Sequence, residues 1–232
     1  MGSKSNALVL FSGGKDSVFA LYKAIESGVK ISGLLVIKSK NPDSYMFHTP
    51  NISLAEVCAK AMQFPVFVEE VSGLKEDEVI ELENIISKLK SKLNFDSVVS
   101  GAIKSNYQFV RIKNICEKLN LSSITPMWMR DENEYLSDLL NSNFDVVFVG
   151  YAAVGFDDSW LNSHLDKGTY GKLCVLNKKF GISIVGEGGE FESFVVDSPL
   201  HKQRIVFDEV KKQVKGLSGK LIVEKYSLIP KN

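Results

Sequence analysis

Disulfide chemistry has little to work with in this sequence. Its 232 residues hold three cysteines, Cys58, Cys116 and Cys174, odd in number, widely spaced and without a CxxC pair. Neither a disulfide framework nor a cysteine zinc site is expected, and a reducing, cytoplasmic compartment is. Net charge is missing as well, because 28 Lys+Arg balance 28 Asp+Glu. With no global field to draw a polyanion, direct nucleic-acid binding and membrane-surface binding are not expected. No apolar run reaches transmembrane length, and the first residues lack the apolar region of a secretory signal. Met1-Gly2 begins like a myristoylation signal, but Asn6 stands where Ser or Thr is needed. The sequons at Asn51 and Asn120 are chance matches in a cytoplasmic protein. Internal repeats and disordered linkers are absent too.

What remains is an ordinary globular composition, 44% apolar and 24% charged, long enough to bury a core without covalent staples. Short continuous apolar runs at 7–11, 31–37, 65–71, 96–100, 124–128 and 145–150 read as buried strands. Between them lie apolar residues at helical spacing. Val18, Leu21, Tyr22 and Ile25 end at Gly28; further faces are Leu54, Val57, Cys58, Ala61 and Met62, then Val79, Leu82, Ile86 and Leu89. Ile112, Ile115, Cys116 and Leu119 form another, and Leu136, Leu139 and Leu140 the last. This alternation predicts an α/β fold over residues 1–150, a parallel sheet with helices on both faces. Ligands of such sheets bind at the carboxyl ends of the strands. Beyond Tyr151 the texture changes. A helix is predicted over 170–180, then strands over 194–196, 204–210 and 220–228. Residues 151–232 are therefore expected to form a smaller α+β region with antiparallel strands.

The first predicted strand runs into Ser12-Gly13-Gly14-Lys15-Asp16-Ser17, and a helix follows. Strand, glycine loop and helix start together make an anion site, because backbone N–H groups and the helix dipole converge there. Ser12 and Ser17 offer hydroxyls and Lys15 a cation; Asp16 either binds Mg²⁺ or caps the first turn. The spacing is neither GxxxxGK[ST] nor GxGxxG. SGGKDS is instead similar to the loop of N-type ATP pyrophosphatases, the PP-loop enzymes that cut ATP between its α- and β-phosphates. That resemblance implies a Rossmann-like (HUP-type) sheet, ATP and Mg²⁺ as cofactors, and Asp16 as the metal ligand. It also sets Val36, Ile37 and Met46 beside adenine.

Further stretches narrow the family. YMFHTPN at 45–51, SGAIKSNYQFVR at 100–111, PMW at 126–128 and GEGGEFES at 186–193 resemble the diphthine–ammonia ligase family, in the same order over nearly the whole chain. The resemblance implies an ATP-dependent amidation. The carboxylate of diphthine, a modified histidine of translation elongation factor 2, attacks the α-phosphate; ammonia then displaces AMP from the acyl-adenylate. Lys15, Asp16, Ser17, Arg111, Glu187 and Glu190 are the expected catalytic residues, with Ser12, Gly13, Gly14 and Gly101 also around the nucleotide. Gly101 suits close backbone approach, and Arg111 suits a phosphate or carboxylate clamp, the plainer alternative being a helix-surface ion pair. His48, Tyr107, Gln108, Gly188, Gly189, Phe191, Glu192 and Ser193 are expected on the substrate side. Carboxylates beside Phe191 suit a trimethylammonium group, although a solvated acidic turn, or an ammonium site, fits the same residues.

Ammonia is expected free or from a separate partner, since Gly2 stands where an N-terminal glutaminase nucleophile needs cysteine. A homo-oligomer is compatible with the sequence, which sets no oligomeric state. Two rivals stay open at this point: a PP-loop tRNA thiolase, which wants paired cysteines or a cluster, and a nucleotide sensor without turnover.

Overall fold

Strands buried on both faces should be sealed by helices from both sides, and the computed structural model bears this out. It describes residues 5–41 and 52–231. The first half alternates β1 Asn6–Leu10, α1 Lys15–Glu26, β2 Lys30–Ser39, α2 Ser53–Ala61, β3 Val66–Val71, α3 Asp77–Lys90, β4 Ser97–Val99, α4 Asn106–Lys118 and β5 Ser122–Ile124. Its strands form one parallel sheet in the order β3-β2-β1-β4-β5. Successive strand residues point to opposite faces. Leu8, Leu35, Ile37 and Val98 meet α3 and α4 through Leu82, Ile86, Ile112 and Ile115. Ala7, Val9, Leu34 and Val36 meet α1 and α2 through Val18, Phe19, Leu54 and Cys58.

The second half consists of α5 Glu132–Asn141, β6 Asp145–Tyr151, α6 Lys167–Phe180, β7 Phe191–Asp197, β8 Gln203–Lys215 and β9 Ser218–Pro230. Its four strands form an antiparallel sheet in the order β7-β6-β9-β8. Val146, Phe148, Phe194, Val195 and Leu221 join the same apolar cluster as α1 and α2. Those two helices therefore belong to a core that both sheets share. Among the described residues, no helix is long and apolar enough to cross a membrane.

Two expectations need correction. Residues 145–150 read as a further parallel strand, but β6 pairs antiparallel with β7 and β9 and opens the second sheet. An apolar run buried on both faces looks the same in either sheet. The strand expected over 124–128 stops at Ile124, whose carbonyl accepts the Ser100 N–H at 3.0 Å. Two residues on, Pro126 has no N–H with which to extend the pairing.

A polar knot in the shared core ties α2 to the second sheet. His201, 3% exposed, has Ser198 Oγ at 2.7 Å from Nδ1 and Cys58 Sγ at 3.6 Å from Nε2. Next to it the Lys202 N–H donates to the Ala61 carbonyl at 2.8 Å. Burial pushes the imidazole down to about 4, against a smaller opposing pull from Asp197. The unfolded chain takes up this proton near about 6.5. Unfolding therefore binds a proton between these values, and stability falls as the pH drops through that window. We expect this group to remove about 3 kcal/mol between pH 7 and pH 4. Denaturant titrations across that range check it, and His201→Gln should flatten the slope; an unchanged slope in the variant would assign the acid loss elsewhere.

Candidate active site

In the parallel sheet, β1 pairs with β2 on one side and β4 on the other, so the order reverses between β1 and β4. The carboxyl ends of these strands are the switch point where a doubly wound sheet opens a crevice. A cleft of about 530 Å³ lies there, within the range of small-molecule sites. Leu10, Phe11, Leu35, Ile37 and Ile112 give it an apolar wall; Ser12, Asp16, Ser17, Ser105, Tyr107, Gln108, Glu187 and Glu192 bring polar groups to it.

The 12–17 loop turns from β1 into α1 through Gly13, at φ +76°. A Cβ there would be strained and would stand 2.8 Å from the Phe194 ring. Gly14 caps α1 without any side-chain hydrogen bond, so the helix start offers backbone N–H groups and its positive dipole end. Ser17 Oγ donates to the Gly14 carbonyl at 3.0 Å and accepts from the Ser12 N–H at 3.2 Å. These serines hold the loop's own shape. Gly101 also lines the cleft, but its close approach is to protein: a Cβ would stand 2.8 Å from the Asp16 carbonyl carbon.

Strand β7 clamps the loop from the second sheet. The Val195 N–H donates to the Gly13 carbonyl at 2.9 Å, and the Lys15 N–H to Ser193 Oγ at 3.2 Å. The 12–17 and 186–193 stretches, whose bonded residues Lys15 and Ser193 are 178 apart in the chain, thereby meet at one cleft.

Lys15 does not reach into open space. It is 3% exposed, and its Nζ donates to both Asp16 carboxylate oxygens at 2.9 Å and to the Val185 carbonyl at 2.6 Å. The Phe191 ring lies 5.3 Å from the same ammonium. Asp16 is 37% exposed at its side chain and faces the cleft. Its Oδ1 also accepts from the Tyr135 hydroxyl at 2.6 Å. Tyr135 lies on α5, fully buried against Phe19. It escapes a reading for chemistry because a tyrosine in an apolar helical stripe reads as core, and only the fold aims its hydroxyl at the loop.

The acidic stretch divides by role. Glu187 and Glu192 line the cleft. Burial, helped by the nearby Asp16 charge, holds the Glu187 carboxyl above the usual range, although the Lys104 and Ser105 N–H groups oppose it. Burial pushes Glu192 up to about 7, with Lys15 pulling the other way. Glu190 turns away: its oxygens accept the Ser183 and Gly188 N–H groups at 2.7 and 2.8 Å and brace the 183–190 turn. Gly188 and Gly189 border the cleft, whereas Phe191 is packed against Phe148 and Phe156.

Arg111, expected as a clamp, does not line the cleft. It pairs with Glu76 and lies flat on the Tyr107 ring, its Cζ 3.5 Å from the ring centre. Val36, expected beside a base, faces the α1–α2 core at 0% exposure, because strand alternation sends its neighbours Leu35 and Ile37 the other way. Met46 and His48 lie outside the described residues.

Fold and cleft define a doubly wound α/β protein with a glycine loop at its switch point and a second sheet packed against that loop. Comparison with known proteins carries this to a family. The diphthamide synthase N-terminal domain matches residues 5–123, and the diphthamide synthase C-terminal domain residues 131–229. The chain is 32% identical over 254 residues to the diphthine–ammonia ligase of Rattus norvegicus, covering 95% of this chain and 94% of that protein. It is 33% identical over 218 residues to each of the proteins of that name from Bos taurus and Homo sapiens, covering 86% of this chain and 81% of the relative in both cases. The chain belongs to the diphthamide synthase family, and with it to the ligases.

The Tyr135–Asp16–Lys15 chain of contacts gives a direct test. Tyr135→Phe keeps the ring packing and deletes the hydroxyl bonded to a carboxylate. We expect a stability loss of about 1–3 kcal/mol, read by thermal denaturation. An unchanged melting temperature would mean that Asp16 holds its place without Tyr135.

Proposed function

We propose that this chain amidates diphthine on translation elongation factor 2, using ATP and ammonia and forming AMP and pyrophosphate through an acyl-adenylate. The observation that carries this reading is the pair of hydrogen bonds joining β7 to the 12–17 loop. They bring the 12–17 loop, read here as the triphosphate site, against the acidic 186–193 wall, whose carboxylates suit a quaternary cation.

The residues present suit ATP. Ser12, Asp16 and Ser17 bring the start of α1, with its positive dipole end, to the wall of the cleft, where phosphate charge would lie. Leu35 and Ile37 supply an apolar surface for a base. Mg²⁺ suits the site only in its phosphate-bound form. Among the described residues no group of three or more His, Cys, Asp or Glu could cage a metal, yet one or two carboxylates suffice when phosphates supply the other ligands. Asp16 would be that carboxylate, and the ion would neutralise phosphate charge.

In the first step the diphthine carboxylate attacks the α-phosphate and the bond to the β-phosphate breaks. A carboxylate is already ionised at neutral pH and needs positioning rather than a base. The positive end of α1 and Lys15 stabilise the charge that develops, Lys15 exchanging its present partners to do so. In the second step ammonia attacks the acyl carbon, AMP leaves, and one proton is released. Glu187 and Glu192 are the carboxylates in the cleft poised to accept it, each raised toward neutrality. Together with Asp16 they also offer negative charge to the trimethylammonium group.

The thiolase alternative finds no support in the cysteines. Cys58 and Cys116 are buried in separate clusters on opposite faces of the sheet. Burial holds both thiols in the neutral form, Cys116 at about 11.

Purified chain supplied with ATP, ammonium and diphthine-bearing elongation factor should release AMP and pyrophosphate, with amide formed only when ammonium is present. AMP release with tRNA and none with the factor would overturn the proposal. Lys15→Ala should lower kcat about 10²–10³-fold with the fold retained, as checked by circular dichroism; near-normal turnover would take Lys15 out of the reaction. Because Glu192 becomes charged as the pH rises through about 7, affinity for the cationic substrate should rise across that range. Glu192→Gln should flatten the KM–pH profile, and a profile identical to the parent's would assign cation capture to other groups.

A further inference from the structure

The β8–β9 hairpin extends the site along an open face. Each strand has 13 residues, and β9 is tied to β6 only at Gly150↔Lys220 and Tyr151↔Gly219. Cross-strand neighbours point to the same side of a sheet. Glu192 pairs with Gly150, Gly150 with Lys220, and Lys220 with Gln213. These four residues form one row from the cleft wall to the outer strand. Gly150 contributes no side chain to it, so nothing on that face stands between Glu192 and Lys220. Alternation along β8 puts Lys211 and Lys215 on the same side as Gln213.

The hairpin tip, residues 211–220, holds four lysines and no acid in a chain without net charge. Lys212 is spent on the Asp158 carbonyl, at 2.7 Å. Among the described residues, Lys211, Lys215 and Lys220 have neither an ion pair nor a side-chain hydrogen bond. Leu217, 63% exposed, lies in the turn between the two strands, and Val214, 53% exposed, points to the other side of the hairpin. Lysines on an edge strand deter edge pairing, but that role does not call for exposed apolar groups at the turn. Lysine mixed with exposed aliphatic side chains, without arginine or aromatic rings at the tip, matches an acidic protein surface better than nucleic acid, whose bases call for stacking partners.

We propose that the lysine face of the β8–β9 hairpin docks an acidic surface of the protein substrate beside the residue to be modified. The inference rests on the amidation reading and adds where the substrate protein is held. Lys211, Lys215 and Lys220 meet the acidic surface, Leu217 in the turn packs at its margin, and the row through Gly150 leads to Glu192 in the cleft. Charges at the rim of an interface act mainly on association and its salt dependence.

The test is the double variant Lys211→Glu/Lys215→Glu, which leaves Lys220 and the cleft untouched. Binding of purified elongation factor is measured by titration, separately from amide formation. We expect at least tenfold weaker binding and a KM for the factor raised by a similar ratio, both shrinking in high salt. The kcat and the KM for ATP should not change. The Lys→Gln pair should give a smaller effect in the same direction and guards against misfolding caused by charge reversal. Equal binding of the factor by parent and variant overturns the docking inference, as does a variant that loses only its affinity for an RNA oligonucleotide. Absence of amide formation by the parent chain, with the factor still bound through the lysines, overturns the amidation reading instead.

Discussion

The site depends on the tie between the 12–17 loop and β7. A glycine loop at the end of β1 is a local feature, set by a few residues and the strand before it. Its second wall is not local, since Ser193 and Val195 come from another sheet. Two hydrogen bonds, each worth about 1 kcal/mol net, cannot hold two sheets together. The shared core does that, with α1 and α2 in a cluster that includes Phe194 and Val195. What the hydrogen bonds add is register. They decide which residues of β7 stand over the loop, and so bring Glu192 into the cleft while Phe191, one residue back, packs into the core.

The Lys15–Asp16 pair follows the same logic. A largely buried ion pair is weak evidence for stability, because the cost of desolvation offsets much of the attraction. This one carries extra partners, the Val185 carbonyl and the Tyr135 hydroxyl, from the loop before β7 and from α5. Two separate segments therefore converge on two consecutive residues at the start of α1. Such convergence holds the Asp16 carboxylate at the edge of the cleft.

Much of this was legible in the sequence. The parallel sheet follows from continuous apolar strands alternating with amphipathic helices, and the loop from six contiguous residues. The antiparallel strands of the second half were visible too, at shorter lengths than β8 and β9 reach. Residues whose role depends on the partner they meet were not legible. Arg111 has the chemistry of a clamp, but Glu76 and the Tyr107 ring lie beside it. Glu190 looks equivalent to Glu187 and Glu192 on paper, and the turn it closes consumes its carboxylate. Tyr135 is the converse case, a residue with the look of core that touches the loop. Strand 145–150 failed for another reason: sheet membership is decided by pairing, which an apolar run does not encode.

Charge shows the same limit at the scale of the whole chain. A net charge of zero argues correctly against a field around the molecule, yet it averages over two surfaces of opposite sign. Carboxylates gather in the cleft at Asp16, Glu187 and Glu192, and lysines gather on the hairpin face at Lys211, Lys215 and Lys220. At physiological salt, screening confines each surface to about 8 Å. Two opposite patches can therefore act side by side without cancelling. On the amidation reading proposed above, the carboxylates of the cleft meet the cationic modified side chain and the hairpin lysines an acidic surface of the same protein, with the row Glu192–Gly150–Lys220 joining the two.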